Sequence, residues 1–80
     1  MAQQIKLGLI GLGVIGQMHL KMAATMPHVA ITAVCDVQSQ LVESTAQQFN
    51  IPHRYTDADA LLANEEIDGV VIALPANFRT

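Results

Sequence analysis

Eighty residues allow one small domain. At 51% hydrophobic and 14% charged the chain is too apolar to stay disordered, and its uncharged stretch 7–20 is broken by four glycines and cannot span a bilayer. A net charge of −3 argues against nucleic acid as a partner, and a single cysteine excludes an internal disulfide.

Residues 1–4 carry no cationic segment followed by an apolar core and a cleavage site, so a soluble cytoplasmic protein is expected. Residues 5–10 (Ile-Lys-Leu-Gly-Leu-Ile) are a short apolar run that ends in glycines and reads as a buried strand. Residues 14–26 meet no breaker before Pro27. Ile15, Met18, Met22 and Met26 recur there at helical spacing, which predicts a first helix with these side chains in the core. Residues 30–35, apolar and β-branched, predict a second buried strand closed by Asp36. Ser39 is placed to cap a second helix, with Leu41, Val42, Thr45 and Phe49 inward. Asn50 suits a left-handed terminating residue, and Pro52 forbids continuation.

Residues 53–55 read as a weak third strand. The sequence Thr56-Asp57-Ala58-Asp59 has the pattern of a capping box, with the threonine as cap. A short third helix over 57–63 would turn Leu61 and Leu62 inward, and Glu65, Glu66 and Asp68 would form a solvated turn. Residues 69–74 (Gly-Val-Val-Ile-Ala-Leu) are the most apolar segment, a fourth strand ended by Pro75. The order β-α-β-α-β-α-β, with strands that do not alternate, predicts an α/β fold: a partial, Rossmann-like parallel sheet covered on both faces, of strand order 3-2-1-4.

Gly11-Leu12-Gly13-Val14-Ile15-Gly16 fits the G-x-G-x-x-G pattern between a predicted strand and a predicted helix. In that pattern Gly11 permits the tight turn, Gly13 lets a pyrophosphate approach the backbone, and Gly16 lets helix and strand pack closely. Free amides near Val14 and Ile15 would face the anion with the helix dipole behind them. A packing-only glycine turn is the alternative. The spacing from Gly11 to Gly16 also matches a P-loop, but Gln17 and Met18 stand where that loop requires Lys and Ser or Thr. Asp36 lies twenty residues beyond Gly16, where an acid is expected to hold the adenosine ribose hydroxyls; a turn or cap aspartate is the alternative. A 2′-phosphate beside Asp36 would be repelled, and Val37, Gln38, Ser39 and Gln40 offer no cation. NAD is therefore expected over NADP, with Arg54 the residue that could reverse the preference by folding over the pocket.

The remaining polar residues carry blander expectations. His19 reads as a half-buried helix residue, Cys35 as a buried thiol, and His28 and His53 as surface loop residues. No spacing of histidine and cysteine suits a metal.

The run from Ile5 to Gly16 with His19 three residues on, the strand ending Val34-Cys35-Asp36-Val37, the turn Tyr55-Thr56-Asp57 and the strand Ile67-Asp68-Gly69-Val70-Val71-Ile72-Ala73 together resemble the glucose–fructose oxidoreductase / inositol dehydrogenase / rhizopine catabolism (Gfo/Idh/MocA) family across essentially the whole chain. The resemblance implies an NAD(P)-dependent oxidoreductase acting on sugars, cyclitols or polyols. It implies cofactor contacts from Gly11, Leu12, Gly13, Val14, Ile15, Gly16, Asp36 and Val37, and from the stretch holding Ala73, Leu74, Pro75 and Asn77. That stretch departs from the family's Thr-Pro-Asn and following histidine: Leu74, Pro75, Ala76 and Arg79 occupy those places. The family's catalytic lysine and substrate domain would follow these residues, so no catalytic residue is assigned. Residues 1–80 are expected to be the N-terminal part of a dinucleotide-binding domain, with a sugar or polyol substrate bound only in a longer chain. The alternative is a non-catalytic, truncated module that binds nucleotide or a partner chain, forming a homodimer through the open edge of the fourth strand. A flavin- or methyl-donor-binding Rossmann domain is a third reading.

Overall fold

The computed structural model describes residues 4–73. The elements are β1 (Ile5–Ile10), α1 (Val14–Ala24), β2 (Val29–Cys35), α2 (Ser39–Phe49), β3 (His53–Tyr55), α3 (Ala58–Leu62) and β4 (Gly69–Ile72). All strand pairs are parallel, in the order β3-β2-β1-β4. This is the expected partial sheet, half of a doubly wound fold plus one strand.

The sheet has two unequal cores. On one face Leu9, Leu12, Leu20, Val34, Val42, Ala46 and Ile51 are buried beneath α1 and α2. On the other, Ala33, Cys35 and Leu61 are buried beneath α3, flanked by Ile10, Tyr55 and Ile67. Each fully buried aliphatic side chain contributes about 1.5–3 kcal/mol, so the α1/α2 face carries most of the hydrophobic stabilisation.

A slip in register assigns β2 side chains to these faces. Leu7 of β1 stands opposite Ile31, but the next residue, Gly8, stands opposite Ala33, leaving Thr32 without a partner on β1. The extra residue reverses the parity of the strand. Ile31 and Val34 therefore meet the first core, and Ala33 and Cys35 the second. The hydroxyl of Thr32 is buried with no hydrogen-bond partner among the described residues. The slip also sets Cys35 opposite Ile10, the last residue of β1, which brings Asp36 beside the turn that follows.

Several sequence expectations are corrected. The first helix stops at Ala24 rather than Met26. Thr25 turns back through its amide and hydroxyl onto the Met22 carbonyl, and a residue before proline disfavours the helical region. Ile15, Met18, Met22 and Met26 are exposed, because α1 faces the sheet with Gly16 and Leu20 instead. Gln38 and not Ser39 is the cap residue of α2, without a side-chain cap bond. Asp57 and not Thr56 caps α3, its carboxylate accepting from the Asp59 amide at 3.2 Å. Leu62 faces outward while Leu61 is buried. His53 lies within β3 and pairs with Glu66 at 3.3 Å.

The turn before β4 also does more than meet solvent. The Lys6 amide donates to the Asp68 carboxylate at 2.8 Å, and the Asp68 amide donates to the Lys6 carbonyl at 2.6 Å, locking the entry of β4 onto β1. Asn50 ends α2 at φ 56°, as its side chain permits. β4 is half-exposed rather than buried on both faces: Val70 and Ile72 point to a side that nothing among the described residues covers. Leu74, assigned to this strand from sequence, lies outside the described residues.

Candidate functional site

The candidate site lies where β1 and β2 end, at the carboxyl edge of the parallel sheet, where ligands of open α/β sheets bind. The turn begins at Gly11, whose φ of +98° lies in the region that disfavours side chains. A Cβ there would strike the Ala73 carbonyl oxygen, and the Gly11 amide donates to the Cys35 carbonyl at 2.8 Å. Gly16 is buried in α1, and a Cβ on it would run into the Gly11 carbonyl. These two glycines are required by the fold itself.

Gly13 differs. Its φ of −73° suits any residue, it is exposed, and a Cβ on it would meet nothing within 4 Å. Among the described residues, open space is thus left at a position where packing does not demand glycine.

Gly13 is also the cap residue of α1. No side chain caps this end, and no acid occupies its first turn. The first intrahelical bond runs from the Gln17 amide to the Gly13 carbonyl at 2.9 Å. The amides of Gly13, Val14, Ile15 and Gly16 therefore have no partner among the described residues, as the geometry of a helix start requires. They sit at the positive end of the helix dipole, an arrangement that receives an anion.

Asp36 follows β2 and is half-buried. One carboxylate oxygen accepts from the Leu12 amide at 2.9 Å, the other from the Gln38 amide at 3.0 Å. The second bond is an Asx turn, so the turn-forming role weighed from sequence is present. A carboxylate has about four acceptor sites; two remain for further donors. Val37 beside it is 87% exposed. Leu12 contributes its side chain to the core, only 1% exposed, and its amide is already engaged by Asp36. Ala73 is buried, and its amide donates to the Ile10 carbonyl at 2.8 Å, closing the floor of the turn. Leu74, Pro75 and Asn77 lie outside the described residues.

One residue of this site carried no sequence signal beyond its failure to be a P-loop lysine. The Gln17 side-chain amide donates to the Leu12 carbonyl and to the Thr45 hydroxyl, both at 3.1 Å. Thr45, on α2, is the sole polar residue in the buried set among the described residues. Only the structure brings these residues together, since Gln17 and Thr45 are 28 positions apart.

Arg54 does not reach over the crevice. Its guanidinium is held by Glu43 at 2.6 Å, and its Nε donates to the Ile51 carbonyl at 3.4 Å. Cys35 is buried at the end of β2, as expected. Burial lifts its thiol above the ordinary range, and the negative charges of Asp36 and Asp57 lift it further. A thiol held protonated is a poor nucleophile. His19, half-buried, lines an apolar groove beside α1 with Leu7, Met22, Met26 and Val71, away from the glycine turn.

Comparison with known proteins identifies the family and the fold. A family model described as an oxidoreductase family with an NAD-binding Rossmann fold (GFO_IDH_MocA) matches residues 5–80. The uncharacterized oxidoreductase YrbE of Bacillus subtilis (strain 168) is 35% identical over 75 residues, covering 94% of this chain and 22% of that protein. The rhizopine catabolism protein MocA of Rhizobium meliloti is 35% identical over 78 residues, covering 92% of this chain and 23% of that protein. The scyllo-inositol dehydrogenase of Lactobacillus casei, solved with bound cofactor NAD(H) and scyllo-inositol, superposes with a TM-score of 0.84 at 27% identity, covering 95% of this chain and 23% of that one. The chain spans about a fifth of the length of the curated relatives it matches.

Proposed function

The chain belongs to the Gfo/Idh/MocA oxidoreductase family, whose matching region is an NAD-binding Rossmann fold, and from that premise we propose that the crevice between the glycine turn and Asp36 seats the adenosine diphosphate half of NAD. The observation that carries this reading is the open space at Gly13. Gly11 and Gly16 are explained by close backbone packing, whereas among the described residues no contact excludes a side chain at Gly13, and its absence leaves room for a ligand. The unpartnered amides of 13–16 suit a pyrophosphate. The two free acceptor sites of Asp36 suit the two ribose hydroxyls, and exposed Val37 borders the adenine side. Ala73 closes the floor of this crevice, and the cofactor contacts expected of Leu74, Pro75 and Asn77 fall outside the described residues.

NAD is favoured over NADP. A phosphate near Asp36 meets repulsion of up to ~4 kcal/mol per unit charge at about 4 Å in a medium of effective dielectric near 20. Arg54, which could offset this charge by folding over the pocket, is occupied by Glu43. Residues 1–80 act as the N-terminal part of the cofactor domain of a sugar or polyol dehydrogenase. Catalytic groups and the substrate site belong to a longer chain.

Calorimetric titration of NAD tests the site. Two charge-assisted hydrogen bonds to Asp36 contribute about 1.5–3 kcal/mol each. After the ordering costs of binding, the contacts of this segment alone give a dissociation constant nearer millimolar than micromolar. Gly13→Val should raise that constant by at least about tenfold while costing no more than about 1 kcal/mol of stability, because its side chain enters open space at a cap position. Undiminished binding by Gly13→Val would overturn the reading.

The open edge of β4 supports a second reading, in which two copies pair through that strand. Ile72 is 65% exposed there, and β4 pairs only with β1 among the described residues. Monomeric sedimentation at high protein concentration would exclude it.

A further inference from the structure

We infer that Gln17 is a positioning residue of the glycine turn: it aims the Gly13 amide into the anion seat, with Thr45 as its support. This rests on the nucleotide reading above and adds to it a residue that contacts neither phosphate nor ribose.

The argument starts from one peptide group. The Leu12 carbonyl and the Gly13 amide belong to the same planar unit, and no peptide bond among the described residues is cis. In a trans unit the carbonyl and the N–H point in opposite directions. Gln17 holds the carbonyl at 3.1 Å, on the side where Thr45 of α2 lies. The Gly13 N–H, opposite that carbonyl in the same peptide, is thereby turned away from the Gln17 side chain.

Without that tether the unit has little to hold it. Glycine tolerates most backbone angles, so rotation of the 12–13 peptide would replace a donor in the anion seat with a carbonyl oxygen. A hydrogen bond accepted by the Leu12 carbonyl also polarises the peptide and strengthens its N–H as a donor. The orientation of the Gln17 amide is not arbitrary. A backbone carbonyl can only accept, so the nitrogen must face Leu12, and its second hydrogen goes to the Thr45 hydroxyl. Asp36 secures the preceding peptide through the Leu12 amide. The two side chains thus grip Leu12 on both sides.

The experiment pairs NAD titration with the amide NMR signal of Gly13 in the intact protein. Gln17→Met removes the donor at similar size and should raise the NAD dissociation constant about fivefold to tenfold. In the nucleotide-free protein it should shift the Gly13 amide resonance upfield. Thr45→Val, which removes the supporting oxygen, should reproduce the loss in part, whereas Thr45→Ser, which keeps it, should bind like the parent. A packing role predicts the reverse order, with Ser costly and Val harmless. Parental NAD affinity and an unmoved Gly13 signal in Gln17→Met would overturn the inference. If the parent protein itself binds no NAD, the nucleotide reading fails separately. The Gly13 signal of the nucleotide-free variant then decides whether Gln17 holds the turn.

Discussion

The two ends of influence on α1, its first turn and its outer flank, are specified in opposite ways. At the first turn the Gly11 amide, both backbone groups of Leu12 and the Gly13 carbonyl each have a partner. Among the described residues the amides of 13–16 are left without a partner, next to the open space at Gly13. On the flank, Met22 and Met26 are 58% and 47% exposed and border an apolar groove with Leu7 and Val71. The turn is fixed by directional bonds that admit one arrangement. The flank is apolar area with no partner among the described residues, and its conformation is set by nothing but the helix. A site can therefore be well formed beside a surface that is not.

The largest test of this contrast uses the three glycines of the turn. Gly16→Ala and Gly11→Ala each push a Cβ against a backbone carbonyl, and Gly11 adds the strain of a positive φ. Each should cost about 3 kcal/mol or more in urea unfolding. Gly13→Ala should change stability by less than about 1 kcal/mol, because its backbone angles suit alanine. Equal losses at all three positions would mean that Gly13 is also a packing glycine.

Asp36 comes next. Asp36→Ala removes the acceptor of the Leu12 and Gln38 amides as well as the proposed ribose contacts. NAD affinity should fall at least about tenfold, and the preference over NADP should narrow. A variant that kept its NAD affinity would confine Asp36 to holding the turn.

Cys35 gives a smaller effect with a definite sign. Its folded thiol loses its proton less readily than an unfolded one. Below the unfolded thiol range, about 8.5, both states are protonated and stability is indifferent to pH. As pH rises through that range the unfolded chain releases its proton first, so stability falls. Urea midpoints should decline between about pH 8 and 10 and decline less in Cys35→Ala. A native thiol alkylated as fast as a free one at pH 8 would contradict its burial.

The contrast also explains what could be read from sequence. Continuous apolar runs mark β1, β2 and β4, because such segments have few other uses in an α/β chain, whereas β3, His-Arg-Tyr, gives only a weak signal. The glycine turn and Asp36 were legible because their spacing reflects backbone geometry: a positive φ at Gly11, a close approach at Gly16 and the length of one helix-strand unit before Asp36. The methionine stripe has the spacing of a core face and is exposed, because periodicity reports that a face is apolar and not which neighbour it meets. In the structure Leu20 and Gly16 take the sheet-facing side. Gln17 was invisible because its role depends on Thr45, which only the crossover from α1 to α2 brings near. The bulge at Thr32 likewise has no local signature; it follows from pairing β2 with β1 while serving two cores.

The smallest expected effect probes the flank. Leu20→Ala and Met22→Gln change two residues of one helix, one facing the sheet and one facing the groove. Leu20 is 2% exposed, so its truncation leaves a cavity and should cost about 2–5 kcal/mol. Met22 is largely in solvent on the side of Leu7 and Val71, so its replacement by a polar residue should cost less than about 0.5 kcal/mol. The comparison sharpens if Met22→Gln costs as much as a core change. That result would mean the groove is covered in the intact protein, since an exposed thioether has no packing to lose. A cost that grows with protein concentration would assign the cover to a second copy, and one independent of concentration would assign it to the same chain. In either case the apolar flank would be the seat of a further element, and the difference between the two regions of α1 would lie in when they are completed, the turn within residues 4–73 and the flank outside them.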